Sequence, residues 1–233
     1  MTKTTNDQDP LDLEKKLSTE FFKAESFIEK NKKNILTVIG ALVVVIGGYV
    51  GYRQLILAPQ EKEAQAAIFV VQRQFDMDSF NLVINGNGTD MSAVEIADEY
   101  GSTKAGNLAR YYAGMSYLRS GDYESAIDYL KGFKGNDMVV SSLATGAIGD
   151  AYVELGKLSE AVSYYRKAAD KSENGVTAPL FLKKAGLVYE KQGEYKKAVE
   201  CYVRIQEKFR TSDQGNEIEK YIYRAKALAG DLK

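Results

Sequence analysis

The spacing of apolar positions changes along this chain, and each change marks a new element. Between Leu11 and Ile28 the apolar residues Leu13, Leu17, Phe21, Ala24 and Ile28 recur every three or four positions, which is one face of a helix. Lys15, Lys16, Glu20, Lys23, Glu25 and Glu29 fill the other face. Such a helix lies on a membrane surface, docks on a partner, or is a solvated lead-in to the apolar run after it; mixed charge disfavours the first. The polar stretch before it, residues 1–10, carries no pattern of order. From Ile35 to Tyr52 the pattern disappears into eighteen residues without a charge, the length and composition of a transmembrane helix. Leu55, Ile56 and Leu57 extend the run past Arg53, whose long side chain can reach the interface, so the predicted span is 35–57. Tyr49 and Tyr52 suit an interfacial belt. A cleaved signal peptide fits poorly, because the leader is 34 residues long and no small-residue cleavage site comes after the run.

Helical periodicity returns after Pro59. Glu61–Phe75 places Ala64, Ala67, Ile68, Val71 and Phe75 on one side. Asp78 is a candidate cap for a short helix through Ile84, residues 85–90 form a turn-rich loop, and Ser92 with Glu95 offers a capping box for a helix ending near Tyr100. This region reads as a degenerate helical unit that covers the apolar end of a helical stack.

From Asn107 to Thr211 one string is written three times. Its copies are Gly114–Tyr117–Gly121–Tyr123–Ala126–Leu130, Gly149–Tyr152–Gly156–Leu158–Ala161–Tyr165 and Gly186–Tyr189–Gly193–Tyr195–Ala198–Tyr202. The alanines at 126, 161 and 198 give periods of 35 and 37 residues. These offsets resemble the tetratricopeptide repeat. The resemblance implies an all-α, right-handed helical solenoid with repeats near 107–140, 142–175 and 179–212 and a C-terminal cap helix over 214–230. Gly121, Gly156 and Gly193 supply the positive φ of each turn. Gly114, Gly149 and Gly186, with the three alanines, let paired helices approach. Tyr117, Tyr152 and Tyr189 fill the space between repeats. Asp122 and Ser159 are candidate caps of second helices, and Pro179 fits a first helical turn. Ile218, Tyr221, Ile222, Ala225 and Leu228 line one face of the last helix, which Gly230 ends.

Composition then removes whole classes of chemistry. The chain has no histidine, which excludes histidine bases, Ser–His and Cys–His nucleophiles and most zinc sites. Its one cysteine, Cys201, has no internal partner and reads as a small buried hydrophobe. A net charge of −1 gives no field for nucleic acid. The carboxylate pairs Asp98–Glu99 and Asp76–Asp78 are explained by helix caps and solvated faces. The sequence predicts no enzyme, no cofactor and no metal site.

Orientation is set by the flanking cations. Residues 15–34 hold six lysines and residues 53–72 hold only Arg53 and Lys62, so the N-terminal segment 1–34 stays in the cytoplasm and the domain over 58–233 crosses. In a bacterium the result is a single-pass inner-membrane protein with a periplasmic domain; in a eukaryote the domain faces a lumen. Gly47 and Gly51 match the small-xxx-small motif for helix packing with a partner or a second copy.

Tetratricopeptide arrays curve, with the first helix of each repeat lining the concave side. Carried over by position, the candidate protein-binding residues are Tyr111, Met115 and Arg119, then Asp150 and Glu154, then Lys183, Leu187 and Lys191. Leu108, Leu118, Leu143, Val153, Leu180 and Glu190 lie alongside. Tyr111 and Met115 stand where a two-carboxylate clamp requires Lys and Asn, so no such clamp is expected. Tyr, Met, Leu and Arg suit an extended or helical peptide held largely by apolar contact, unless Tyr111 and Met115 merely contact a neighbouring helix pair. A single span, a short repeat domain and the GNG loop together are similar to the YfgM-like ancillary subunits of the Sec translocon. That resemblance implies partners among translocon subunits, periplasmic chaperones or exported clients. Rival readings are an envelope-assembly or cell-division scaffold and a self-associating structural membrane protein.

Overall fold

A computed structural model describes residues 10–171 and 173–231, leaving aside the side chains of residues 10–18 and Ala24. The polar leader 1–9 and positions Leu13, Leu17 and Ala24 of the predicted N-terminal face therefore lie outside the described residues. The chain divides into two units, Met1–Ile56 and Leu57–Lys233.

In the first unit the predicted amphipathic segment and the apolar run belong to one helix, α1 (Pro10–Tyr52), succeeded by a π-helical stretch, Arg53–Leu57. Nothing between Ile28 and Ile35 breaks it, because Glu29–Asn34 contains neither Gly nor Pro. At 1.5 Å per residue, α1 is roughly 65 Å long, about twice the hydrocarbon thickness of a bilayer. Among the described residues this is the one helix long and apolar enough to cross a membrane. Most of its described side chains are exposed, Val44 at 74% and Phe21 and Phe22 at 72% each.

The second unit is an all-helical solenoid. It begins with α2 (Ala58–Asp76), α3 (Phe80–Asn85) and α4 (Ala93–Glu99). Three helix pairs come next: α5 (Lys104–Ser120) with α6 (Tyr123–Gly132), α7 (Met138–Glu154) with α8 (Leu158–Lys171), and α9 (Thr177–Lys191) with α10 (Tyr195–Lys208). A four-residue helix α11 (Asp213–Asn216) and α12 (Ile218–Ala229) finish it. From α4 to α9 each helix packs chiefly on its sequence neighbours, as repeat architectures require, whereas α2 and α3 pack chiefly on α5 and α12 packs on α10.

The repeated string explains the pairing. Gly121, Gly156 and Gly193 all adopt left-handed φ, from +71° to +86°. In every turn the residue after the glycine donates its N–H to the carbonyl of the string's tyrosine: Asp122 to Tyr117, Lys157 to Tyr152 and Glu194 to Tyr189. This is a Schellman closure. A Cβ built on Gly114, Gly149 or Gly186 would fall within 2.3–2.7 Å of the Leu130, Tyr165 or Tyr202 side chain of the paired helix. The string's first and last positions are thus one contact. Ala126, Ala161 and Ala198 are fully buried. Tyr117 stacks on Tyr129 of its own repeat, whereas Tyr152 accepts a hydrogen bond from Lys131 of the preceding repeat at 3.1 Å and Tyr189 shares a cleft with Arg166 of the preceding repeat.

Three local readings change. Asp78 does not cap α3; it takes φ +53° at the turn, one residue ahead of Ser79 at the N-cap position. Ser159 sits inside α8, because the preceding turn closes at Lys157 and the helix starts at Leu158; the serine hydroxyl accepts from Gln192 instead. Leu228 is 52% exposed, the packed face of α12 being Ile218, Ile222 and Ala225. The Ser92–Glu95 capping box is formed in both directions, at 3.1 and 2.7 Å, and Asp122 caps α6 through Ser125.

Cys201 is buried on α10 between repeats, and burial pushes its thiol up to about 11. Below that value the folded state holds the protonated, unreactive form. Maleimide labelling at pH 7.5 is therefore expected to be slow in the native protein and rapid in denaturant; equal rates would show α10 to be open in solution.

Candidate protein-binding site

The first helices of the three pairs, α5, α7 and α9, carry all eight candidate residues, and the structure separates them by what they already do. Tyr111 is half-buried, its ring 5.6 Å from Tyr112 and 5.4 Å from Phe133, and burial raises its phenol pKa. Met115 and Leu118 pack with it against the cluster formed by Ile127, Leu130, Ala144, Ala147, Ile148 and Ala151. These residues join the first repeat to the second. They contact the next helix pair, and little of either Tyr111 or Met115 is left for a ligand.

The charged candidates divide in the same way. Asp150 accepts a hydrogen bond from the Tyr165 hydroxyl at 2.6 Å and an ion pair from Lys184 Nζ at 2.7 Å. One repeat later the arrangement recurs. Glu190 accepts from the Tyr202 hydroxyl at 3.0 Å and pairs with Arg224 at 2.8 Å. In each case a second-helix tyrosine and a cation from the next helix in the stack share one first-helix carboxylate. Burial, then the carboxylate itself, pushes both phenols far above their ordinary range. Lys183 is also engaged: it pairs with Glu217 and lies 4.5 Å from the centre of the Tyr221 ring. The hydrogen bond from Lys183, with a second from Lys220, lowers the Glu217 carboxyl to about 2.

These bonds obey one rule. Asp150–Lys184, Asp170–Arg204, Lys183–Glu217 and Glu190–Arg224 all join residues 34 apart, and Glu173–Lys208 joins residues 35 apart. Between the second and third repeats, where equivalent positions are 37 residues apart, partners 34 apart stand about one helical turn off equivalence, so opposite charges at this spacing tie successive repeats together. Sequence reading missed Lys184 and Arg224 for want of that test, although the spacing was available to find them.

Arg119, Glu154, Leu187 and Lys191 remain exposed. The three charged ones form no ion pair within 4.0 Å among the described residues. All four lie toward the C-terminal ends of α5, α7 and α9, one or two per repeat. The exposed part of the predicted groove is therefore a mixed surface of two cations, one carboxylate and one leucine. It can present charge and modest apolar area to a polypeptide.

An all-helical stack of this kind, tied by ion pairs between successive repeats and offering exposed residues along its first helices, is a protein-interaction scaffold. Comparison with known proteins agrees on the repeat. Tetratricopeptide repeat models match residues 108–136 and 147–213, which cover most of α5, all of α6, the C-terminal part of α7 and all of α8 through α10. The chain is similar to human tetratricopeptide repeat protein 29, 28% identical over 120 residues, which are 48% of this chain and 25% of that protein. Its counterpart from Macaca fascicularis is 28% identical over 130 residues, 52% of this chain and 27% of the relative. The chain thus spans about a quarter of the length of the curated relatives it matches. It carries tetratricopeptide repeats in an all-helical domain, and one helix able to span a bilayer.

Proposed function

We propose that this protein is a single-pass membrane scaffold, with residues 1–34 in the cytoplasm, the span at 35–57 and the repeat domain, 58–233, on the far side, in the periplasm of a bacterium. There it holds protein partners close to where polypeptides emerge from the membrane. Translocon subunits, periplasmic chaperones and exported clients are the partner classes. The observation that carries the reading is the pairing of a membrane-length apolar helix with tetratricopeptide repeats in one short chain. The lysine excess before the span supports the orientation. The binding residues are those of the predicted face that the stack leaves free, Arg119, Glu154, Leu187 and Lys191, flanked by Tyr111, Met115, Asp150 and Lys183. A second reading, self-association through α1, draws on Gly47 and Gly51, where an added Cβ would meet nothing within 4 Å.

A photo-crosslinking amino acid at 119, 154, 187 or 191 in native membranes is expected to give adducts to translocon subunits, chaperones or exported chains. The same probe at Glu200, exposed on α10, is expected to give few. Adducts mainly between copies of the chain, or equal yields from the Glu200 position, would reject the groove scaffold and favour self-association.

A further inference from the structure

The joint between the first and second repeats is built differently from the joint between the second and third. Aligned on the alanines of the repeated string, α8 and α10 each run ten residues past Ala161 and Ala198, to Lys171 and Lys208. The first of the series, α6, runs only six residues past Ala126, to Gly132. It lacks about one helical turn. In its place is a cleft of about 540 Å³ between α6, α7 and α8. The floor is apolar, formed by Leu130, Phe133, Ala144 and Ile148, and the rim carries Lys131, Lys167 and Lys171.

The neighbouring joint shows what cations at these places bind. Lys167 and Lys171 lie six and ten residues past Ala161; the equivalents past Ala198 are Arg204 and Lys208. Arg204 pairs with Asp170 at 2.6 Å and Glu173 at 3.4 Å, and Lys208 pairs with Glu173 at 3.0 Å. The places of Asp170 and Glu173, nine and twelve residues past the alanine, fall in the first repeat on Gly135 and Met138. No carboxylate is supplied there. Lys171 instead donates to the Thr145 hydroxyl at 3.2 Å, Lys131 to the Tyr152 hydroxyl at 3.1 Å, and Lys167 lies 4.9 Å from the centre of the Tyr164 ring. All three partners are neutral. Asp170, the one acid at the rim, is already held by Arg204.

We propose that this cleft, which none of the eight candidate groove residues lines, is a second docking site for an acidic segment of a partner protein. The segment takes the place of the missing turn of α6. Two carboxylates three residues apart reach Lys167 and Lys171 as Asp170 and Glu173 reach Arg204 and Lys208, and an apolar side chain of the segment rests on the floor. The chain thus accepts from another protein the charged turn that it supplies to itself one repeat later.

The test uses the full chain in phosphatidylcholine nanodiscs and an acidic peptide with fluorescein on its N-terminal amine, fluorescein-Leu-Ala-Ala-Asp-Ala-Ala-Glu-Ala-amide, which takes up its helical turn on binding. Fluorescence anisotropy is expected to show saturable, salt-sensitive binding that weakens about tenfold when the peptide's Asp and Glu become Asn and Gln. Lys167→Glu with Lys171→Glu should lower affinity for the acidic peptide by about tenfold or more. The same variant should gain binding to a peptide with lysines at the two positions, a gain that a misfolded protein cannot show. Equal binding of acidic and amide peptides, insensitivity to the two substitutions, or no binding at millimolar peptide would overturn the proposal. Salt-sensitive dimers of the chain that the double variant abolishes, without peptide binding, would overturn it in favour of a second copy as occupant.

Discussion

Gly106→Ala is expected to lower the thermal unfolding midpoint of the repeat domain by roughly 6 to 12 °C, corresponding to about 3 kcal/mol for a domain of this size. Intrinsic propensity points the other way, since alanine is favoured over glycine inside a helix by about 1 kcal/mol. Geometry decides the sign. A Cβ at 106 would lie 1.9 Å from the Tyr100 carbonyl oxygen and 2.4 Å from its carbon, both backbone atoms that no rotamer change can move aside. The N-terminal turn of α5 sits against the end of α4 at this point. Thr103 caps α5 through the Gly106 N–H at 2.9 Å, and Arg110 donates to the carbonyl of Gly101 at 3.0 Å. Shifting α5 to admit the methyl would break those bonds as well. Gly175→Ala, where the added atom meets nothing within 4 Å and φ is ordinary, is the control, expected to stay within about 0.5 kcal/mol of the parent. If both variants melt alike, α4 and α5 do not make this close contact.

The second large effect is expected at Asp150, and it bears on which residues bind partners. Asp150→Ala removes the acceptor of the Tyr165 hydroxyl and the partner of Lys184 together. Tyr165 is only 3% exposed and cannot turn its hydroxyl freely to water. The expected loss is about 2 kcal/mol, below the range for a fully buried charged hydrogen bond because the Asp150 side chain is itself about a third exposed. Asp150→Asn keeps an acceptor for Tyr165 and loses only the charge, so about half the effect is expected. A double-mutant cycle with Lys184→Met, read by denaturant unfolding, should give a coupling of about 0.5 to 1 kcal/mol. A neutral Asp150→Ala would mean that the Asp150–Lys184 pair does not hold these repeats together, and would return Asp150 to the set of groove residues. With the expected result, weaker crosslinking in an Asp150 variant reports lost stability before it reports lost recognition.

Much of the helical order comes from local chemistry, and so it was legible. The turns after α5, α7 and α9 need a left-handed residue, and a glycine at each string's third position announces one. The glycine early in each string and the large residue at its end, such as Gly186 and Tyr202, must touch once the two helices pair. The eighteen uncharged residues from Ile35 likewise make a helix long and apolar enough to cross a membrane, by length and composition alone. Cap positions were less secure. Ser159 has the right chemistry for a cap, but the preceding Schellman turn ends at Lys157 and starts the helix one residue too soon.

The sequence by itself determined the elements, the repeat and the apolar span, because these depend on spacing within about one helical turn or one repeat. Which polar groups stay available was decided only in the tertiary structure. Asp150 and Lys183 have the composition and position of ligand-binding residues, yet each is engaged by a charge 34 residues away. Tyr111 and Met115 have the chemistry of a peptide groove, but α7 packs against them. Conversely, Lys167 and Lys171 read as ordinary solvated lysines on α8, and only the early end of α6 leaves them beside a cleft whose one carboxylate, Asp170, is already held by Arg204. A side chain's type is written locally. Whether it is free depends on what the neighbouring repeat brings against it, and that is settled when the helices stack.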